Sequence, residues 1–264
     1  MKSFMRARLF RYFVRTFLVL SILFVYHEKF YMAPGPHLEI EGLVKGHNFR
    51  DVGASVNSCI ETLNTEKRKS PLKEGVIFRS NKWFSGWSCD NVNNPDHIYT
   101  LNYRPEKQHL YYCKDKHGNK NIGKIFSNEK EIKDIEFLSS WSDPVLREVT
   151  CSAVGFIYLN TIKKEKSLFH CEAGRDRTGA VAAIITAASL EQAGFEVSDI
   201  ESIIECDYRK SKSIGENKYG RMQNFYKEVA GLYPNTKDPM TTFLKDTCGV
   251  NKDAVFSFVR KNKY

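Results

Sequence analysis

Residues 170–179 read His170-Cys171-Glu172-Ala173-Gly174-Arg175-Asp176-Arg177-Thr178-Gly179, and the fold follows from how this stretch is read. The apolar lead-in Ser167-Leu168-Phe169 predicts a strand, and the Ala-rich run from Thr178 to Ala193 predicts a helix. A strand, a tight loop and a helix N-terminus in that order form an anion site, because loop amides point inward and the helix dipole adds partial positive charge. A cysteine held there is stabilised as the thiolate and becomes nucleophilic. Arg177, six positions after Cys171, offers a planar fork of donors for two phosphate oxygens at once. Gly174 allows the sharp turn, Thr178 places a hydroxyl beside the thiolate, and Gly179 permits close helix packing. A nucleophile and an oxyanion clamp on one loop imply phosphoryl transfer to cysteine. The expected phosphate-binding positions are Glu172, Ala173, Gly174, Arg175 and Thr178.

This decapeptide resembles the signature loop of the cysteine-dependent protein tyrosine and dual-specificity phosphatases. Gly174 followed by a basic residue, Asp176 and Arg177 resembles one branch more closely, the bacterial tyrosine phosphatases that also act on phosphoinositides. Asn48-Phe49-Arg50-Asp51-Val52-Gly53 resembles that branch's opening motif, and Ile77-Phe78-Arg79-Ser80 its following strand. Asp207-Tyr208 resembles its Asp-Tyr after the signature helix, and Thr242-Phe243-Leu244 through Cys248-Gly249-Val250 its C-terminal helix pair. The resemblance spans residues 45–264, with one departure: Asn102-Tyr103-Arg104 stands where the branch has Asp-Leu-Arg.

Short apolar alternations predict strands at 38–44, 75–80, 98–104, 109–113 and 166–170. Helices are expected over 128–140, 144–164, 177–193, 198–212, 217–233, 239–247 and 251–262. Gly194 reads as a C-cap glycine, and Ser198 with Glu201 as a capping box. The run from Asn81 to His97 reads as a long loop whose Trp83 and Trp87 are candidates to line the site's mouth. Strands first, then helices around one inserted strand, predict an α/β fold. It is a three-layer, tyrosine-phosphatase-like domain with a central, mostly parallel sheet flanked by helices and a helical C-terminal half.

The chain has three expected parts: a leader over 1–32, a linker over 33–37 and a phosphatase domain over 38–264. In the leader, basic residues (Lys2, Arg6, Arg8, Arg11, Arg15) precede the apolar run from Phe17 to Tyr26. That run is too short for a comfortable span of about 20 apolar residues. It matches a secretory signal peptide, cleaved near Met32-Ala33, or an uncleaved signal anchor that places the domain on the non-cytoplasmic side of a membrane. The alternative is a basic amphipathic helix of a cytoplasmic protein. The net charge of +9 is concentrated partly in this leader, and no nucleic-acid-binding motif accompanies it. Neither a metal-ligand spacing nor a cofactor motif is present in the sequence. Of the seven cysteines, the odd count leaves one free, and Cys171 is the natural choice. Cys59, Cys89 and Cys113 are expected to pair, and Cys206 to serve packing.

The catalytic residues expected are Cys171, Arg177 and Asp176. Cys171 attacks phosphorus, Arg177 and the amides of 172–177 hold the equatorial oxygens, and Thr178 assists departure of the sulfur. His170 orients the loop rather than acting as a base. For the general acid two aspartates compete. Asp176 lies in the loop, where the matching branch has its own aspartate. Asp143, in Trp141-Ser142-Asp143-Pro144, resembles a mobile acid loop but is also accounted for as a helix N-terminus, so Asp176 is preferred. The substrate expected is a phosphorylated protein (tyrosine or dual specificity). A phosphoinositide or inositol polyphosphate is the alternative, and a non-catalytic phosphate-binding module the alternative of another class. The leader makes a separate prediction. Residues 1–40 fused to a reporter active only outside the cytoplasm should give a positive signal, and a stable but silent fusion would discard export.

Overall fold

The computed structural model describes residues 48–63, 71–101, 110–125, 144–212 and 214–250. The chain divides into two units, 1–39 and 40–264, and all described residues fall in the second. The expected leader, the linker, the strand at 38–44, the helices at 128–140 and 251–262, and Asp143 lie outside the described residues.

The described strands are β1 (Arg50–Asp51), β2 (Ile77–Asn81), β3 (His97–Thr100), β4 (Tyr112–Lys114), β5 (Lys120–Ile122), β6 (Lys124–Ile125) and β7 (Ser167–Cys171). The main sheet runs β1-β2-β7-β3-β6, and β4 and β5 form a separate antiparallel hairpin. Only β1–β2 is antiparallel in the main sheet; β2, β3 and β6 join their neighbours in parallel. The last strand in sequence therefore occupies the middle, and every residue of β7 and of β2 is buried. A parallel sheet covered on both faces explains why the polar residues of these strands, Arg79, Ser80, Asn81, Ser167 and His170, are buried along with the apolar ones.

Strand periodicity nevertheless decides which side chain meets which layer. Ile77, Tyr99, Phe169 and Cys171 enter the larger core, built with the six described helices: α1 (Val52–Thr62), α2 (Pro144–Ile162), α3 (Asp176–Gln192), α4 (Val197–Arg209), α5 (Arg221–Gly231) and α6 (Pro239–Asp246). Phe78, Ile98 and Leu168 point the other way, into a smaller core with Phe84, Trp87, Val92 and Tyr111. The layer over that second face is not helical among the described residues. It consists of short 3-10 turns at Lys82–Phe84 and Cys89–Val92 together with the β4–β5 hairpin. The expected loop at 81–97 is thus partly ordered into turns. Trp87 is core rather than mouth, whereas Trp83 remains 45% exposed.

α3 is buried almost throughout, which its alanines allow because they combine high helix propensity with small volume. It stops at Gly194, whose φ of +79° suits glycine, with the Phe195 amide donating back to Leu190 O at 3.1 Å. The expected capping box at Ser198 is not formed. α4 starts one residue earlier, with Glu196 as its extended cap residue and the Ile200 amide already bonded to Glu196 O, so Ser198 sits inside the first turn.

Three disulfides lock these layers together: Cys59–Cys206 joins α1 to α4, Cys89–Cys113 joins a 3-10 turn to the hairpin, and Cys151–Cys248 joins α2 to the turn after α6. Cys171 is the free cysteine, as expected. The expectation for Cys206 is corrected. Packing the apolar face of α4 on α1 is what brings Cys206 against Cys59, so a packing position became a bridging one.

Candidate active site

The parallel strands end together, with Asn81 of β2 level with Cys171 of β7 and Thr100 of β3 level with His170. The loop 171–177 sits at that carboxyl edge, followed directly by the first turn of α3. Cys171 is 2% exposed, and its Sγ accepts the Gly174 amide at 3.2 Å.

The loop's carbonyls are held from outside, one after another. The Lys82 amide donates to Glu172 O at 3.3 Å and Asn48 Nδ2 donates to Ala173 O at 2.7 Å. Arg79 Nη2 donates both to Gly174 O at 3.1 Å and to Arg175 O at 3.3 Å. In a trans peptide the C=O and the next N–H point in opposite directions. Four carbonyls turned outward therefore turn the amides of 173–176 toward the loop's interior, where an oxyanion would lie. Gly174 makes this turn with φ +66°, and a Cβ there would lie 2.7 Å from Asn81 N and Ser80 O. Gly179 is equally constrained, since a Cβ would meet Tyr208 Cδ2 at 2.8 Å.

Each expected site residue can now be placed. The Arg177 guanidinium is buried, with Nη1 donating to the carbonyl of Leu101 just past β3. The Thr178 hydroxyl is fully buried and has no hydrogen-bond partner among the described residues, which leaves it available to sulfur or to a bound oxyanion. The Glu172 carboxylate pairs with Lys82 Nζ at the surface, and Lys82 also lies over the Trp83 ring at 4.9 Å. Ala173 and Arg175 contribute backbone to the loop, and Arg175 is the cap residue of α3. Asp176, 8% exposed, receives Tyr208 Oη at 2.6 Å and Arg221 Nη1 at 3.2 Å, both on Oδ1. Burial and the neighbouring Asp176 push the Tyr208 phenol above its ordinary range, so it stays a proton donor to that carboxylate. The structure thus joins Asp176 to α4 and α5 as well as to the loop.

Several residues that build the site had no role assigned from sequence. Asn48, Arg79 and Asp207 were visible only as motif letters, and Leu101, Lys82 and Arg221 carried no signal at all. Asp207 accepts from Arg79 Nη1 at 2.5 Å, Arg50 Nε at 2.9 Å and Ser55 Oγ at 2.6 Å. Burial works against its charged form, but Arg50 and Arg79 overcome this and hold the carboxyl well below the usual range. Burial, with Arg50 nearby, lowers Arg79 to about 10, which leaves it charged at neutral pH.

His170 is fully buried between Phe84 and Tyr111, with Nε2 2.8 Å from Thr100 Oγ1. Burial is the main reason its pKa falls to about 3, so the ring is neutral, and its hydrogen bond with Thr100 joins β7 to β3. This depressed value has a consequence for stability. The unfolded chain takes up a proton on His170 below its ordinary pKa while the folded chain does not, so stability is complete above that value and falls toward pH 3. Between pH 7 and 5 the loss from this residue should be about 2 kcal/mol. Urea unfolding of the wild type and His170→Gln at both pH values checks it, and equal pH dependence in the two would refute a neutral buried ring.

No curated protein matches the chain. Residues 150–261, which include most of α2, β7 with its loop, and α3 to α6, match the model described as the tyrosine phosphatase family. Over that part of the chain the protein is similar to the tyrosine phosphatase family, and a free cysteine under inward-facing amides with an arginine six residues on agrees with the likeness.

Proposed function

We propose that the chain hydrolyses phosphate monoesters through a cysteinyl-phosphate, acting as a protein tyrosine (dual-specificity) phosphatase. The observation that carries this reading is the loop itself, whose carbonyls are all drawn outward while Cys171 stays unbridged beneath. Cys171 attacks phosphorus in line; the S–P bond forms as the P–O bond to the leaving alcohol breaks. Arg177 and the amides of 173–176 take up charge on the equatorial oxygens. Asp176 gives its proton to the leaving oxygen. The same carboxylate then accepts a proton from water as water attacks the phosphocysteine, and Thr178 donates to the departing sulfur.

Glu172 supports a singly phosphorylated substrate over a polyphosphate. Its exposed carboxylate occupies Lys82 rather than leaving that cation for a second phosphate. The phosphoinositide reading rests on the likeness of the 48–53 and 170–179 motifs to the bacterial branch. The three disulfides support an oxidising, non-cytoplasmic address for the domain.

Cys171→Ser should abolish hydrolysis of p-nitrophenyl phosphate while oxyanion binding persists, and Arg177→Lys should also fail, because a point charge does not replace a fork. More than trace activity in the serine variant overturns cysteine catalysis. The acid is tested separately by leaving group. Asp176→Asn should slow p-nitrophenyl phosphate modestly and alkyl phosphates severely, since p-nitrophenolate leaves without a proton and an alkoxide does not. A larger, leaving-group-dependent loss in Asp143→Asn would transfer the role to Asp143.

A further inference from the structure

Two buried ionised groups, Arg79 and Asp207, take no part in the bond changes described above. Both are enclosed, Arg79 completely. The Arg79 guanidinium divides its donors by direction: Nη1 goes to Asp207 Oδ2, and Nη2 to the carbonyls of Gly174 and Arg175. Asp207 is fixed in turn by Arg50 and by Ser55, and Arg50 Nη2 also reaches the Asp207 carbonyl at 2.6 Å. Asn48 repeats the arrangement on the neighbouring peptide. Its Nδ2 holds Ala173 O at 2.7 Å while its Oδ1 receives the Lys212 amide at 2.6 Å.

The geometry points to Arg79 and Asn48 as positioning residues for phosphoryl transfer, with Asp207 as the counter-charge that aims Arg79. The inference rests on the phosphatase reading and adds to it a source for the loop's polarity. Two successive peptides, 173–174 and 174–175, are held by these two side chains, whereas 175–176 is also fixed by the Gly179 amide, which donates to Arg175 O at 2.5 Å. If one peptide turned over, a carbonyl oxygen would replace an amide N–H in the cradle, and an anion would meet a negative dipole where it needs a donor. Asp207 without Arg79 would be a buried, uncompensated anion. Arg79 without Asp207 would be free to swing from the loop. Because the amides contact the oxygens that gain charge in the transition state, loosening them should lower kcat more than it raises KM.

The test compares Arg79→Lys, Asn48→Ala and a control, Glu191→Gln. Lysine keeps a cation for Asp207 but lacks the second arm that reaches the two carbonyls. Glu191 caps the start of α6 through the Met240 and Thr241 amides and touches nothing in the loop, so its variant is destabilised without a change at the site. Arg79→Lys and Asn48→Ala are each expected to lower kcat for p-nitrophenyl phosphate by at least about tenfold. Tungstate affinity, measured by titration calorimetry, should fall in parallel. Glu191→Gln should lose thermal stability and keep kcat. Should Arg79→Lys not fold, Asn48→Ala carries the same readouts alone. Kcat within twofold of wild type in either folded loop variant overturns the inference. So does a kcat loss in Glu191→Gln matching theirs, because it would make the effect one of general stability. A wild-type protein without Cys171-dependent turnover would overturn the phosphatase reading itself, which separates that failure from the failure of the positioning inference.

Discussion

A single buried guanidinium joins the interior of this protein to its chemistry. Arg79 leaves the second strand of the sheet, meets Asp207 from α4 on one side, and holds two peptide carbonyls of the cysteine loop on the other. An arginine with no solvent contact is costly to bury, and the cost is offset only when charge and hydrogen bonds are supplied together. Here the charge comes from a helix, the remaining acceptors from the loop, and the guanidinium's planar fork fits both. The strand, the helix and the loop must all be in place before Nη1 and Nη2 find their acceptors, so the fold and the shape of the loop are formed by the same contacts.

The second cation, Arg50, enters the cluster from β1 and brings an imbalance of two positive groups to one carboxylate. The outward carbonyls of the loop and the Asp207 carbonyl supply the remaining negative potential. This arrangement places cations behind a loop whose front must receive an anion, so the field of the buried cluster and the inward amides act in one direction. Cys59–Cys206 secures the same region covalently, since it ties α4, the helix bearing Asp207, to α1, the helix bearing Ser55.

On the other flank of β7 the support is uncharged. His170 stays neutral against Thr100, and Leu101 offers its carbonyl to Arg177. Burial removes the protonated imidazole, and Arg177 nearby opposes a second positive charge as well. The loop is therefore held by Arg79 together with neutral donors from the β2 side and by neutral hydrogen bonds alone from the β3 side. Arg177 itself is anchored by a backbone carbonyl, which no change of pH can titrate.

The decapeptide 170–179 by itself determined the strand, loop and helix, the place of Cys171 and Arg177 on one loop, and the need for glycine at 174 and 179. These are local consequences of residue type and spacing, so a linear reading reaches them. The odd number of cysteines likewise pointed to Cys171 as the free thiol. Only the tertiary structure decided which distant residues hold the loop. Asn48, Arg79 and Asp207 lie up to 159 positions apart, and no periodicity relates them. Their roles arise when a parallel sheet inserts its last strand in the middle and brings the start, centre and end of the domain to one edge. The pairing of Cys206, the burial of Trp87 and the earlier start of α4 were settled in the same way, by which face of each element had to meet its neighbour. The carboxylate of Asp176 shows the division within one residue: its position in the loop is local, whereas its bonds to Tyr208 and Arg221 exist because two later helices pack across the N-terminus of α3.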